Sequence, residues 1–351
     1  MQPPSAAYAA ALPRALASAT LALLLVACTG VTSCTGATCD GSSRPPSGGP
    51  DDAPSGTVRL YTSVTQDTVD AVLAAYAGAF PHVTVEVFRA PTGELDARIA
   101  TEKRTGRIAG DVLWGTDPLS VQAYAQQGLF RAWTPPEADA VPPAYRSSTF
   151  WGTRILNMVI VHRTDADPAP ADWRDLADPA YAGKVGLPDP GFAGSAFGML
   201  GYFATTDGYG MDFYRALHDN GAVQVQAIAE VLTDVAEGRF TAGITLDKTA
   251  RDAIAQGSPV EIAWPSSGAI AIYSPVAVFA DTTNPAAAES FANFLLTREG
   301  QAAIAGTGWQ PVRDDVAGGP PIDGTQVAPS WDGLFSRQEE LLGEYRAIFG
   351  G

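Results

Sequence analysis

Two long runs of apolar and β-branched residues, 153–162 and 269–279, divide the chain and set its predicted organisation. The first runs from Thr153 to His162 and reads as a strand, with Trp151-Gly152 before it as a joint. Ahead of it two periods alternate. Val58-Arg59-Leu60-Tyr61-Thr62 predicts a short strand, and 67–80 predicts a helix with Val69, Val72, Leu73 and Tyr76 on one face, stopped by Pro81. Val83, Val85 and Val87 recur at the spacing of a strand with one buried face. Residues 93–105 predict a helix with Glu94 and Asp96 in its first turn and Lys103 and Arg104 in its last, the order its dipole favours. A third strand follows at 111–114; Asp117 as N-cap, Pro118 at the first helical position and Gly128 at the end bound the next helix.

Beyond the first long run the pattern restarts. Strands are predicted at 184–188, 240–246 and 260–264, and helices at 194–203, 211–218, 228–237 and 249–255. The second run carries the chain back, and helices follow at 285–296, 298–304 and 332–349. Strand–helix alternation predicts largely parallel sheets covered by helices. The expected architecture is α/β with two lobes, 58–154 together with 269–351, and 155–268, hinged by the two runs like a clamshell. It requires a groove between separate sheets rather than both runs inside one compact core. Ligands in such sheets sit beyond the carboxyl ends of the strands, which points to 61–63, 90–93 and 115–117.

The first 57 residues follow neither period. Arg14 is the only charged side chain before Cys28, and 15–27 is an apolar run too short to span a bilayer comfortably, so 1–27 reads as an export signal. Leu25-Val26-Ala27-Cys28 resembles the bacterial lipobox, which makes Cys28 the expected lipidation site. Residues 28–57, dominated by Gly, Ser, Thr, Pro and Asp, read as a flexible tether. Val31-Thr32-Ser33-Cys34 is a poorer copy of the motif, so Cys34 is either the lipid site or free to pair with Cys39. All three cysteines lie in this leader, leaving the body no thiol for nucleophilic, zinc or iron–sulfur chemistry. The expected location is the outer face of the cell membrane, lipid-anchored, on the periplasmic side if the envelope is Gram-negative.

A net charge of −16 repels nucleic acid and anionic lipid, and neither is expected as a partner. A small anion is still admissible, because backbone N–H groups in a dry cleft outweigh a distant screened field. His82, His162 and His218 are far apart and no HExxH spacing exists, so no metal site is expected. Without GxGxxG after a strand, GxxxxGK or GxSxG, the dinucleotide, nucleotide and serine-hydrolase readings lack their motifs, and no cofactor is expected. The scattered carboxylates single out no acid–base pair.

What remains is a set of small hydroxyl-rich loops. Gly194-Ser195-Ala196 opens a helix and suits an anion, or is an ordinary serine-capped start. Thr62, Ser63 and Thr65 are ligand contacts or turn chemistry, and Thr92 and Thr116 in the strand-end loops are expected ligand contacts. Asp117 is an N-cap or the partner of a ligand amine; Asp247 and Lys248 are ligand contacts or a solvated strand end. Asn157 on the first crossing and Tyr273 on the second complete the candidates, Tyr273 either entering the cleft or packing at the joint.

Several marks, in order, resemble the solute-binding proteins of bacterial ABC importers, in the branch of ferric-iron, 2-aminoethylphosphonate and sugar-phosphate binders. They are Leu60-Tyr61-Thr62-Ser63, Gly93-Glu94-Leu95, Ala109-Gly110-Asp111-Val112-Leu113-Trp114, Asp175-Leu176-Ala177-Asp178-Pro179 before Gly183-Lys184-Val185, Asn284-Pro285-Ala286-Ala287-Ala288, and Phe294-Leu295-Leu296-Thr297-Arg298-Glu299-Gly300-Gln301. The resemblance covers 58–351 and implies the type II periplasmic-binding-protein fold, no enzymatic turnover, a monomer, and a membrane permease as partner. Ferric-iron binders of this branch use two adjacent tyrosines after the second lobe's strand and often a histidine in the first loop. Asp247-Lys248 and Thr65 stand at those places here, so the resemblance favours a phosphonate, phosphate ester or other small oxyanion over iron. A ligand-sensing adaptor and an enzyme of similar two-lobed shape are the competing readings.

Overall fold

Strands and helices alternate through the body as the two periods require. β1 (Gly56–Thr62), α1 (Gln66–Ala79), β2 (Val83–Arg89), α2 (Thr92–Arg104), β3 (Val112–Trp114) and α3 (Pro118–Gln126) precede the first long run, which is β4 (Phe150–Arg163). Then come β5 (Val185–Pro188), α4 (Gly194–Thr205), α5 (Gly210–Asp219), β6 (Val223–Val225), α6 (Ile228–Ala236), β7 (Ala242–Leu246), α7 (Asp247–Ala255) and β8 (Val260–Ala263). β9 (Ala269–Val278) returns the chain to α8 (Pro285–Phe294), α9 (Arg298–Gly306), β10 (Gln310–Pro311), β11 (Gln326–Val327), α10 (Trp331–Leu334) and α11 (Gln338–Phe349). The computed structural model describes residues 53–350. The export signal, most of the tether, and Cys28, Cys34 and Cys39 lie outside the described residues.

The differences from expectation are local. β6, β10 and β11 are two or three residues long, too short to display a period. The predicted terminal helix divides into α10 and α11. The tether ends sooner than residue 57, because the Gly56 N–H already donates to the His82 carbonyl at 2.9 Å. No helix among the described residues is long and apolar enough to cross a membrane.

One expectation needs correction. The sheets are not separate: the strands form one mixed sheet in the order β2-β1-β3-β9-β4-β7-β5-β6. β4 and β9 pair with each other antiparallel from Phe150 opposite Ala277 to Met158 opposite Ile270, and both are buried almost throughout. A strand covered on both faces is an uninterrupted apolar run, which is why these two dominate the sequence pattern. A groove nevertheless exists, and the register explains it. β3 runs parallel to β1 and reaches only the level of Val276, which faces Trp151. β7 approaches along β4 from the other end and stops where Leu246 faces Met158. The carboxyl ends of the two parallel sets therefore point toward each other across residues 152–157 of β4.

Helices cover both flanks. Phe203 of α4 is fully buried with Phe213 at 4.6 Å, Tyr209 at 4.9 Å and Trp173 at 5.6 Å between ring centres. Tyr345 of α11 meets Tyr214 of α5 at 5.2 Å. Residues 269–351 therefore do not stay wholly with the first half, since α11 packs on α5 and α4. The expected cost of Phe203→Ala is about 3–5 kcal/mol of stability, the range for emptying a large aromatic site, and urea unfolding measures it.

Candidate binding cleft

The groove holds a cavity of ≈ 240 Å³ whose lining comes almost wholly from residues just past the carboxyl ends of parallel strands. Ser63 and Thr65 follow β1, Pro91 and Thr92 follow β2, and Thr116 follows β3. From the opposite side come Gly194 and Ser195 after β5, Ile228 after β6, and Leu246 with Thr249 at the end of β7. Arg154 and Leu156 of β4 line it from the crossing, together with Trp309.

Local chemistry places these groups. The pairing of β4 with β9 shifts register between Gly152 and Arg154, a bulge of the kind that re-aims a side chain. Thr153 at the bulge is held by its hydroxyl, which donates to the Ser274 carbonyl (2.7 Å) and accepts from Trp114 Nε1 (2.9 Å). Arg154, 1% exposed, stacks over Trp309 at 4.3 Å. Its Nε and Nη1 are buried without a hydrogen-bond partner. Burial pushes the guanidinium down to about 9, still above neutral, against a weaker upward pull from Asp67. Ser63 and Thr92 hydroxyls meet that of Thr116 at 3.1 and 3.3 Å. α2, α4, α6 and α7 begin on Pro91, Ala193, Ala227 and Leu246, which carry no side-chain acceptor for the first-turn N–H groups.

Of the sequence candidates, Ser63, Thr65, Thr92, Thr116 and Ser195 come together at this cavity. Ser195 is not the cap of its helix; α4 starts at Gly194 with Ala193 at the cap. The other candidates sit elsewhere. Thr62 donates to the Trp114 carbonyl (2.8 Å) and accepts from Val64 N–H, which is turn chemistry. Ala196 is buried packing. Asn157, on the face of β4 away from the cavity, accepts from Gln326 Nε2 at 2.6 Å. Asp247 is paired with Arg251 one turn on, and Lys248 with Asp252 and, at 3.0 Å, with Asp67 of α1, so neither is a solvated strand end. Tyr273 packs at the joint against Tyr145 (5.3 Å) and Trp331 (5.5 Å). A larger hollow of ≈ 460 Å³ lies between α2, α3, α4 and α11, on the helix flank rather than at strand ends.

Sequence reasoning missed Arg154, Arg89 and Trp309. Arg154 carried a signal, a lone cation inside an apolar run; Trp309 carried none.

Asp117 caps α3, accepting from Ser120 N–H at 2.8 Å. Its Oδ2 has no partner and occupies the space beside Gly194, where a Cβ would come within 2.2 Å of it and 2.8 Å of Thr116 Oγ1. The two halves thus touch through a glycine. Burial raises Asp117 to about 7, opposed by the Ser120 N–H and reinforced by Asp96, itself raised by burial to about 6 despite the Tyr124 hydroxyl.

Two α/β halves meeting over a strand-end cavity define a ligand-binding protein of the periplasmic-binding class. The family model for bacterial extracellular solute-binding proteins matches residues 71–328, and the chain belongs to that family. It is the solute-binding component of an ABC importer, an exported binding protein and not an enzyme, serving a small solute and a membrane permease. Among solved structures, AfuA from Actinobacillus pleuropneumoniae with exogenous fructose-6-phosphate bound is 20% identical over 84% of this chain and 98% of its own, with a TM-score of 0.75. Iron-bound HitA from Pseudomonas aeruginosa is 20% identical over 83% and 99%, with a TM-score of 0.73. An ABC-transporter substrate-binding protein from Agrobacterium tumefaciens is 18% identical over 86% and 96%, with a TM-score of 0.74. These likenesses carry the type II periplasmic-binding-protein fold. No curated protein sequence matches the chain.

Gly194→Ala should weaken solute binding at least tenfold, because the added methyl holds the halves apart where Asp117 and Thr116 approach; calorimetry and small-angle scattering would read the loss and the more open shape. A carboxyl raised on folding holds its proton more tightly in the native state. Asp117 and Asp96 therefore stabilise most below about pH 4 and lose that contribution as pH climbs through about 6–7. Asp117→Asn, which keeps the cap, should flatten the fall in unfolding free energy between pH 5 and 8.

Proposed function

We propose that the solute is a small phosphorus oxyanion, a phosphate ester or phosphonate, held between two lobes that close over it. The observation carrying this reading is Arg154, a cavity-lining residue whose guanidinium is fully buried and has two nitrogens without a partner among the described residues. An unpaired buried charge costs several kcal/mol, and an anion in the cavity would remove that penalty. Hydroxyls of Ser63, Thr92, Thr116 and Ser195, and the first turns of α4, α6 and α7, supply further donors to an oxyanion. The fructose-6-phosphate in AfuA is in keeping with it. Iron, bound in HitA, is favoured less, since among the described residues no tyrosine, histidine or carboxylate lines the cavity.

The same reading takes 58–154 with 269–337 as one lobe and 155–268 with α11 as the other, a monomer tethered by lipid at Cys28. The Lys248–Asp67 ion pair joins α7 to α1 across the groove and suits a closed state.

Isothermal titration with glucose 6-phosphate, inorganic phosphate, an alkylphosphonate and ferric citrate tests the assignment. Heat is expected from a phosphorus ligand; heat from ferric citrate alone overturns it. Arg154→Met should weaken that binding roughly 100-fold, about 2.7 kcal/mol, while leaving the free protein as stable or more so, because an unpaired buried charge is gone. Unchanged affinity in this variant would remove Arg154 from the site.

A further inference from the structure

We infer that the cavity selects solutes carrying no positive charge, with Arg154 at its floor and Arg89 at its rim as the residues that set this preference. The inference rests on the oxyanion reading and concerns the rest of the solute. No aspartate or glutamate is among the lining residues. Of the carboxylates beside lining residues, Asp247 pairs with Arg251, Asp67 pairs with Lys248 and Glu230 accepts from the Gln226 and Ala227 N–H groups, while Asp117, whose Oδ2 is unpartnered, is fully buried against Gly194 and is not among the lining residues. Asp67 is held below its usual range, the Thr65 hydroxyl and Lys248 ammonium outweighing its burial.

The cations at the cavity are in the opposite situation. Neither arginine pairs with a carboxylate among the described residues. Arg154 has its unpartnered nitrogens, and Arg89 spends only Nε, on the Val64 carbonyl at 2.7 Å, while its side chain is exposed at the mouth. In a chain of net charge −16, two positive groups without a counter-charge converge on one small space. The remaining wall is apolar, with Leu156, Ile228, Leu246 and Trp309. An ammonium entering here gives up its hydration, finds no carboxylate, and is repelled by Arg89. An uncharged carbon substituent loses nothing, and a second negative group meets Arg89 favourably.

A matched set of probes isolates the effect: ethylphosphonate, 2-aminoethylphosphonate, which adds only the ammonium, and 3-phosphonopropionate, which adds a carboxylate. Calorimetry at pH 7.5 should find 2-aminoethylphosphonate at least tenfold weaker than ethylphosphonate, and 3-phosphonopropionate no weaker. Arg89→Glu, an exposed substitution, should reverse the order of the two charged probes. Equal or tighter binding of 2-aminoethylphosphonate by the unmodified protein, or an unchanged order in Arg89→Glu, overturns the charge selection and leaves the oxyanion reading standing. If none of the three binds while glucose 6-phosphate or inorganic phosphate does, this inference falls and the oxyanion reading stands; if no phosphorus ligand binds, both fall.

Discussion

The antiparallel pairing of β4 with β9 is the constraint from which the rest follows. These strands run in opposite directions and exchange backbone hydrogen bonds over most of their length. β3 joins one end of the ladder and β7 the other, so the parallel sets they lead run toward each other. Parallel strands leave helix N-termini and small loops at their carboxyl ends. Two such ends meeting head on enclose a site lined by donors from both sides, with the middle of β4 as its floor. A shift of β4 by one residue against its neighbours would turn Arg154 away from that floor.

Electrostatics then separates framework charge from free charge. The framework cations near the groove are matched within the fold: Lys248 with Asp252 and Asp67, and Arg251 with Asp247 and the Gly308 carbonyl. Among the described residues Arg154 and the exposed Arg89 are the exceptions, and Arg154 is in addition dry and stacked on Trp309. Buried guanidinium without a partner is a liability in a protein whose role ends at folding. On the proposed reading, an oxyanion in the cavity relieves that liability.

Much of the fold was legible because it rests on local patterns. Periods of 2 and 3.6 located most strands and helices to within a few residues, and the doubly buried crossings announced themselves as long, largely apolar runs. The candidate site was legible in part. Strand-end reasoning reached Ser63, Thr65, Thr92, Thr116 and Ser195, because a parallel sheet puts such loops at its binding edge whatever the ligand. It left Asp247 and Lys248 as ligand contacts or a solvated strand end, although Arg251 and Asp252 stand four residues on from each and already offered local partners on a helix.

By itself the sequence determined what depends on neighbours along the chain: the alternation of elements, the two crossings, the charge, and the leader with its cysteines. Only the tertiary structure decided which polar groups face one another. Tyr273 was claimed by Tyr145 and Trp331, Asn157 by Gln326, and Arg154 was left without a partner beside a tryptophan more than 150 residues away. Whether a buried charge is paired depends on contacts between segments far apart in the chain, and no local period records them.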